Sequence, residues 1–195
     1  MKKPSTYLTQ RFFDAVQYAA EMHKEQVRKS TEITYICHPL GVASLVLEAG
    51  GDEDLAIAAL LHDVAEDCGG EVRLDEINER FGKRVADIVR GCSDSLVADP
   101  EEKAKWFDRK QVHIEHLNNA SPDTLLVTAA DKTHNARSIA TDLRNQGASL
   151  WERFNASRVD IIWYYDSIYE VLAKRDVTNR LLTPLREAID AIKRS

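Results

Sequence analysis

The stretch "ALLHDVAEDCGG" (residues 59–70) decides how this chain is read. It places His62, Asp63, Glu66 and Asp67 within six positions, at the end of the apolar run "LAIAALL" (55–61). On a helix, at about 100° per residue, these four groups cover an arc of roughly 140°. Leu60, Leu61, Val64 and Ala65 fill the rest of the circumference. A helix that is apolar on its other sides is buried, so its polar arc faces something inside the protein. Buried carboxylates are costly unless they are paired or bind a metal. The competing reading is a helix end that points to solvent. So dense a cluster beside so apolar a run favours a metal or phosphate site.

Outward from this stretch the pattern is helical. Asp52 in "GGDEDLAIAALL" suits a helix N-cap, with Glu53 and Asp54 at the positive end of the dipole, and "CGG" after Asp67 is a stop. The periodicity predicts helices near 7–26, 38–49, 52–67, 74–81, 83–91, 104–119, 122–143, 148–173 and 178–193. Eight glycines, five prolines and few β-branched runs leave little material for a sheet. The segment "SDSLVADPEEK" (93–103) is irregular and reads as a mobile loop. With no internal repeat and no convincing boundary, residues 1–195 are expected to form one all-α domain.

A net charge of −6 argues against a general nucleic-acid binder, but not against an anionic small molecule held by a few local cations. Cys37, Cys68 and Cys92 have no metal-site spacing and read as reduced thiols of a cytoplasmic protein. No signal peptide is evident at the N-terminus, and no segment is apolar for long enough to span a membrane.

A metal at the HD dipeptide would need more ligands. His38 in "YICHPLGVA" opens a helix after a loop, and Asp131 in "LLVTAADKTHNARSI" follows another apolar run, with His134 and Asn135 on the next turn. Each also has a structural reading: His38-Pro39 as a helix entry, and Asp131 as the partner of Lys132 or Arg137. Two imidazoles and two carboxylates would leave positions for water on a divalent ion, which orients attack on phosphorus. Such nitrogen and oxygen donors do not fix the metal, since intrinsic affinity favours zinc over manganese or iron.

The series His38, His62-Asp63 and Asp131 resembles the HD superfamily of metal-dependent phosphohydrolases. More narrowly, "HDVAED" resembles the HD-x-x-ED motif of RelA/SpoT-type alarmone hydrolases. "QVRKSTEITYICHPLGVA" is similar to their loop and first ligand helix, and "AADKTHNARSI" to their last ligand helix. "LDEINERFGKRVADIVRGCSD" and "WFDRKQVHIEHL" match in pattern, so the likeness spans roughly residues 10–172. The length resembles that of the single-domain small alarmone hydrolases.

The resemblance implies an HD-type bundle of about nine to ten helices around one metal site. It implies that His38, His62, Asp63 and Asp131 hold one Mn²⁺, and that Glu66 and Asp67 position and deprotonate the attacking water. Arg28, with Lys29 and Ser30, would lie against the base, and Asn135 against the ribose or its neighbouring phosphate. The implied reaction removes pyrophosphate from the 3′ position of (p)ppGpp, with (p)ppApp as an adenine counterpart. Lys105, Arg109 and Lys110 are candidates for a second cationic wall; an exposed basic face balanced by Glu101, Glu102 and Asp108 is the alternative. Trp163, Tyr164 and Tyr165 read as core. Two other functions compete: an HD-type nucleotidase or phosphodiesterase on another nucleotide, and an inactive nucleotide-binding module. The acidic pair favours the first reading. Neither NADPH as a side substrate nor assembly into a homo-oligomer is decided by sequence.

Overall fold

Capping and periodicity produce helices throughout the computed structural model, which describes residues 6–29, 31–97, 99 and 101–195. In chain order they are α1 (Gln10–Met22), α2 (Cys37–Glu48), α3 (Glu53–Leu61), α4 (Val64–Cys68), α5 (Glu71–Phe81) and α6 (Lys83–Cys92). Next come α7 (Trp106–Leu117), α8 (Pro122–Gln146), a 3₁₀ helix (Gly147–Arg153), α9 (Arg158–Lys174) and α10 (Asn179–Arg194). Among the described residues no strand forms beyond an isolated antiparallel bridge between Val27 and Thr34. The all-α expectation holds, with ten α-helices among the described residues.

The caps fall where the sequence puts them. Asp52 accepts the Leu55 N–H at 3.0 Å and starts α3, and Ser121 accepts the Thr124 N–H at 3.1 Å ahead of Pro122 in α8. Three predicted spans are corrected. The first helix ends at Met22 rather than 26, because the chain turns there to bring His23 and Gln26 toward α4. The span 148–173 divides into a 3₁₀ turn and α9, because Ser157 and Asp160 form a capping box that begins a new helix. The span 52–67 breaks at His62 and Asp63 into α3 and α4.

Helix α3 is the axis of the core. Every residue from Leu55 to Leu61 is buried, and the helix packs against α1, α2, α6 and α8. Fully burying a leucine or isoleucine contributes about 1.5–3 kcal/mol, so this segment is anchored firmly enough to fix the His62-Asp63 turn at its end. Helices α8 and α10 close the other side, with α9 packed on α10.

Candidate active site

The break after α3 has a local cause. His62 turns its Nδ1 back to the Ala59 carbonyl at 2.8 Å, and so occupies the acceptor that an unbroken helix would offer to the Asp63 N–H. This bond leaves Nε2 aimed into the interior. His38 enters from the start of α2 and Asp131 from the middle of α8. The Nε2 atoms of His38 and His62 are both buried without a hydrogen-bond partner. Asp63 Oδ2 lies 3.4 Å from the first and 3.0 Å from the second, and Asp131 Oδ1 lies 3.2 and 3.7 Å from them. Two orphaned imidazole nitrogens facing two carboxylate oxygens fit a divalent cation. His38, His62 and Asp131 bring donor atoms within 4.8 Å of one another, and Asp63 adds the fourth.

Electrostatics gives the same answer. Burial alone would strip the proton from His62, yet Asp63 and Asp131 hold its imidazole well above the ordinary range. Burial likewise raises both carboxyls, but His62 and His38 hold Asp63 well below its ordinary range, and Lys132 with the two imidazoles does so for Asp131. Both carboxylates are therefore ionised inside the core and demand positive charge.

Neighbouring groups fix the donors. Tyr35 donates its hydroxyl at 2.5 Å to Asp63 Oδ2, the oxygen that faces the imidazoles, and Lys132 pairs with Asp131 Oδ2 at 2.7 Å while Oδ1 faces the site. His38 Nδ1 meets His134 Nδ1 at 3.0 Å. Burial first, then His38 and Arg28, push His134 down to about 4, and a neutral His134 can accept the His38 N–H. Gly41 makes room for it, since a Cβ there would collide with His134 Cδ2 and Nε2. Sequence reading offered Lys132 as a partner of Asp131, which the structure bears out alongside the donor role, but it noted His134 only as a polar group and missed Tyr35, an aromatic close before a ligand position.

From the donor set a polar path leads outward. Asn135 donates to Asp131 Oδ1 at 2.5 Å and accepts from Arg28 at 2.6 Å. Arg28 and Lys29 sit on the loop after α1, which the Val27–Thr34 bridge closes on itself. They line a cavity of about 630 Å³ together with Tyr35, His134, Asn135 and Arg153. Ser30 lies outside the described residues. Tyr164 and Tyr165 are buried as expected, Tyr165 also borders the cavity, and Trp163 stacks on Phe107 with ring centroids 4.6 Å apart.

The acidic pair sits one turn beyond the donors, on α4. Glu66 Oε2 accepts the Asp94 N–H at 3.0 Å, and Asp67 Oδ2 accepts from Gln26 Nε2 at 2.8 Å. Burial first, then Asp94 and Asp63, raise Glu66 to about 8. Here the structure corrects two expectations. Asp94, in the stretch read as a mobile loop, has a side chain only 3% exposed that binds both Arg109 and Lys110, while Lys103 donates to the Glu66 carbonyl at 3.2 Å. Asp94 and Lys103 are thus fastened to α4. Arg109 and Lys110 are accordingly committed to Asp94 and not to an open wall, though Arg109 also reaches within 3.9 Å of Glu66 Oε1. Lys105 is exposed at the N-cap of α7 and does not border the cavity.

Residues 15–162 match the HD domain family. The chain belongs to that family. Within it, the guanosine-3′,5′-bis(diphosphate) 3′-pyrophosphohydrolase MESH1 of Homo sapiens is 35% identical over 172 residues, covering 87% of each chain. MESH1 of Xenopus tropicalis is 40% identical over 129 residues, 65% of this chain and 68% of its own length. Among solved structures, a metazoan ortholog of SpoT that hydrolyzes ppGpp superposes with a TM-score of 0.75 at 29% identity, over 94% of this chain and 96% of the other. No helix among the described residues is long and apolar enough to cross a membrane.

Proposed function

We propose that this HD-family chain is a metal-dependent guanosine-3′,5′-bis(diphosphate) 3′-pyrophosphohydrolase that acts as one domain in the cytoplasm. The observation that carries the reading is the continuity from the donor set through Asn135 and Arg28 into the 630 Å³ cavity. Reacting phosphorus and recognised nucleotide can thus be held by one connected set of groups. The MESH1 likeness supplies the substrate class.

His38, His62, Asp63 and Asp131 would hold the ion, which we assign as Mn²⁺. When bound, such an ion supplies positive charge to phosphoryl oxygens and acidifies water. Glu66 and Asp67 hold the attacking water, and one of the two carboxylates takes its proton. That water's oxygen bonds to the 3′ phosphorus, the bond from phosphorus to the ribose 3′ oxygen breaks, and that oxygen takes up a proton as pyrophosphate departs. Glu66, raised to about 8 by burial and Asp94, has high proton affinity and serves as a base once a nearby cation favours its ionised form. Arg28 and Lys29 lie against the nucleotide and Asn135 against its ribose or 3′ phosphate. A planar guanidinium both stacks on a purine and hydrogen-bonds to it.

The test is pyrophosphate release by the purified chain with Mn²⁺, across ppGpp, pppGpp, their adenine counterparts, NADPH and ordinary nucleotides. Release from the 3′-pyrophosphorylated nucleotides alone supports the proposal. Turnover confined to ordinary nucleotides would replace it with a general HD phosphohydrolase, and metal binding without turnover of any substrate would indicate a binding module.

A further inference from the structure

Of the two carboxylates on α4, Asp67 has the weaker support. Helix α4 is five residues long and ends at Gly69, where φ is 139°, a conformation that favours glycine. Asp67 keeps an exposed edge and borders an open groove of about 460 Å³ that also includes Lys24, Gln26 and Arg73. Water in that groove competes for the carboxylate. A base must be held toward its target, and among the described residues Gln26 is the one side-chain hydrogen-bond partner that Asp67 has.

Gln26 is itself oriented. Its Oε1 lies 2.7 Å from the Nδ1 of His23, and its Nε2 lies 2.8 Å from Asp67 Oδ2. An amide flip would turn Oε1 onto the carboxylate, so a His23 that donates from Nδ1 enforces the orientation in which Gln26 donates. His23 is 1% exposed, and its ring packs on Tyr35 with centroids 4.8 Å apart. Tyr35 in turn holds Asp63. One aromatic pair therefore steadies a metal-set carboxylate through Tyr35 and a proton acceptor through Gln26.

We infer that Gln26, oriented by His23, is the positioning residue for Asp67, fixing Oδ2 so that the other oxygen is free for the attacking water. This rests on the reading of Glu66 and Asp67 as the proton-accepting pair. Gln26 neither borders the nucleotide cavity nor contacts the metal donors. Its loss should therefore act on turnover and not on binding.

The experiment compares Gln26→Leu, Asp67→Asn and the double variant in the full chain, with kcat, KM for ppGpp and bound metal measured for each. Gln26→Leu should lower kcat about 10- to 100-fold, the usual scale for loss of an outer hydrogen-bond partner, with KM within about twofold and metal content unchanged. In the Asp67→Asn background the same change should add almost nothing, because the group it positions is gone. In the chelated protein, carboxyl-carbon NMR should show Asp67 titrating at higher pH once Gln26 is leucine, a readout independent of substrate. Wild-type turnover in Gln26→Leu, an equal loss in both backgrounds, or an unmoved Asp67 titration would each overturn the inference. Full activity of Asp67→Asn would instead sink the underlying assignment of the acidic pair.

Discussion

His62-Asp63 and Glu66-Asp67 are one helical turn apart, yet their surroundings are opposite in kind. The first pair is enclosed by partners: His38 and Asp131 face it, and Tyr35, Lys132 and the Ala59 carbonyl back it. The second has fewer partners and lies at the edge of the fold, where Asp67 is exposed and borders a groove, although Asp63 and Glu66 are alike in side-chain exposure at 23% and 22%. Enclosure by fixed partners suits groups that must keep their distances to an ion. Fewer partners and access to water suit groups that must gain and lose protons. The contrast predicts that damage to the first pair removes the metal, whereas damage to the second leaves metal in place and slows the chemistry.

The largest effect tests the enclosed pair. His62→Ala or Asp131→Asn should abolish stoichiometric metal and lower kcat/KM by about three orders of magnitude or more, the scale of several kcal/mol of charge stabilisation. Such variants should also lose the rise in Tm that added Mn²⁺ gives the wild type, since a ligand that binds only the folded state stabilises it. Elemental analysis and a thermal shift with and without metal check both. Full metal occupancy in either variant would erase the distinction between the two pairs.

Glu66→Gln and Asp67→Asn come next. Each should retain metal and fold while losing at least about two orders of magnitude in kcat, the scale of a general-base contribution. The amides keep the size of the side chains, so cavity effects stay small. Near-wild-type turnover in both would reduce the pair to solvation of a helix end.

A smaller effect is expected one layer behind the enclosed pair. Gly41→Ala would force the His134 ring away from His38. Metal affinity should fall about 10- to 100-fold, as for loss of other outer-shell partners of a ligating histidine. His134→Ala should match it, and the double variant should be no worse than either. Titration of the chelated proteins with Mn²⁺ measures this.

The same contrast shows what the amino-acid sequence made legible. The donors announce themselves as polar residues against apolar runs, because enclosure writes itself into hydrophobic pattern. His62, Asp63 and Asp131 stood out that way, and His38 by its place at a helix entry. The break between α3 and α4 left no such mark: the dihedrals of His62 and Asp63 stay helical, and what interrupts the ladder is a side chain choosing its own i−3 carbonyl. Asp94 was hidden for the opposite reason. Its neighbours "SDSLVADPEEK" have the composition of a loop, and only the fold shows that this carboxylate is buried against Arg109 and Lys110. Gln26 escaped because its hydrogen bond reaches across 41 positions to Asp67, which no local periodicity encodes, and His23 because it acts only through Gln26.

The smallest predicted effect concerns stability and has a definite sign. Glu66 has an ordinary value of 4.5 and is raised to about 8 in the fold, by burial first and then by Asp94. A carboxyl whose folded value exceeds its unfolded one contributes stability below about 4.5 that is lost as pH rises toward 8. Asp94 runs the other way: Lys110 and Arg109 overcome burial and hold it well below its ordinary value of 3.8, so its contribution is present above that value and lost only in stronger acid. His113 and His134, both lowered from 6.5, also change stability between 4.5 and 8, so the difference between a Glu66 variant and the wild type, not the wild-type curve, isolates Glu66. Glu66→Gln keeps an acceptor for the Asp94 N–H but has no proton to lose. In chelated protein its Tm should equal the wild type's near pH 4.5 and exceed it increasingly toward pH 8. Each kcal/mol of relief is worth about 2–4 °C in a chain of this size. Added Mn²⁺ should shrink the difference, because a nearby cation favours the ionised carboxylate. The variant that slows the reaction would then be the more stable protein at alkaline pH, a trade expected of an edge group kept for proton transfer. A Tm difference that stays constant across this window would show that Glu66 ionises freely, and with that the contrast between the two pairs would narrow to geometry alone.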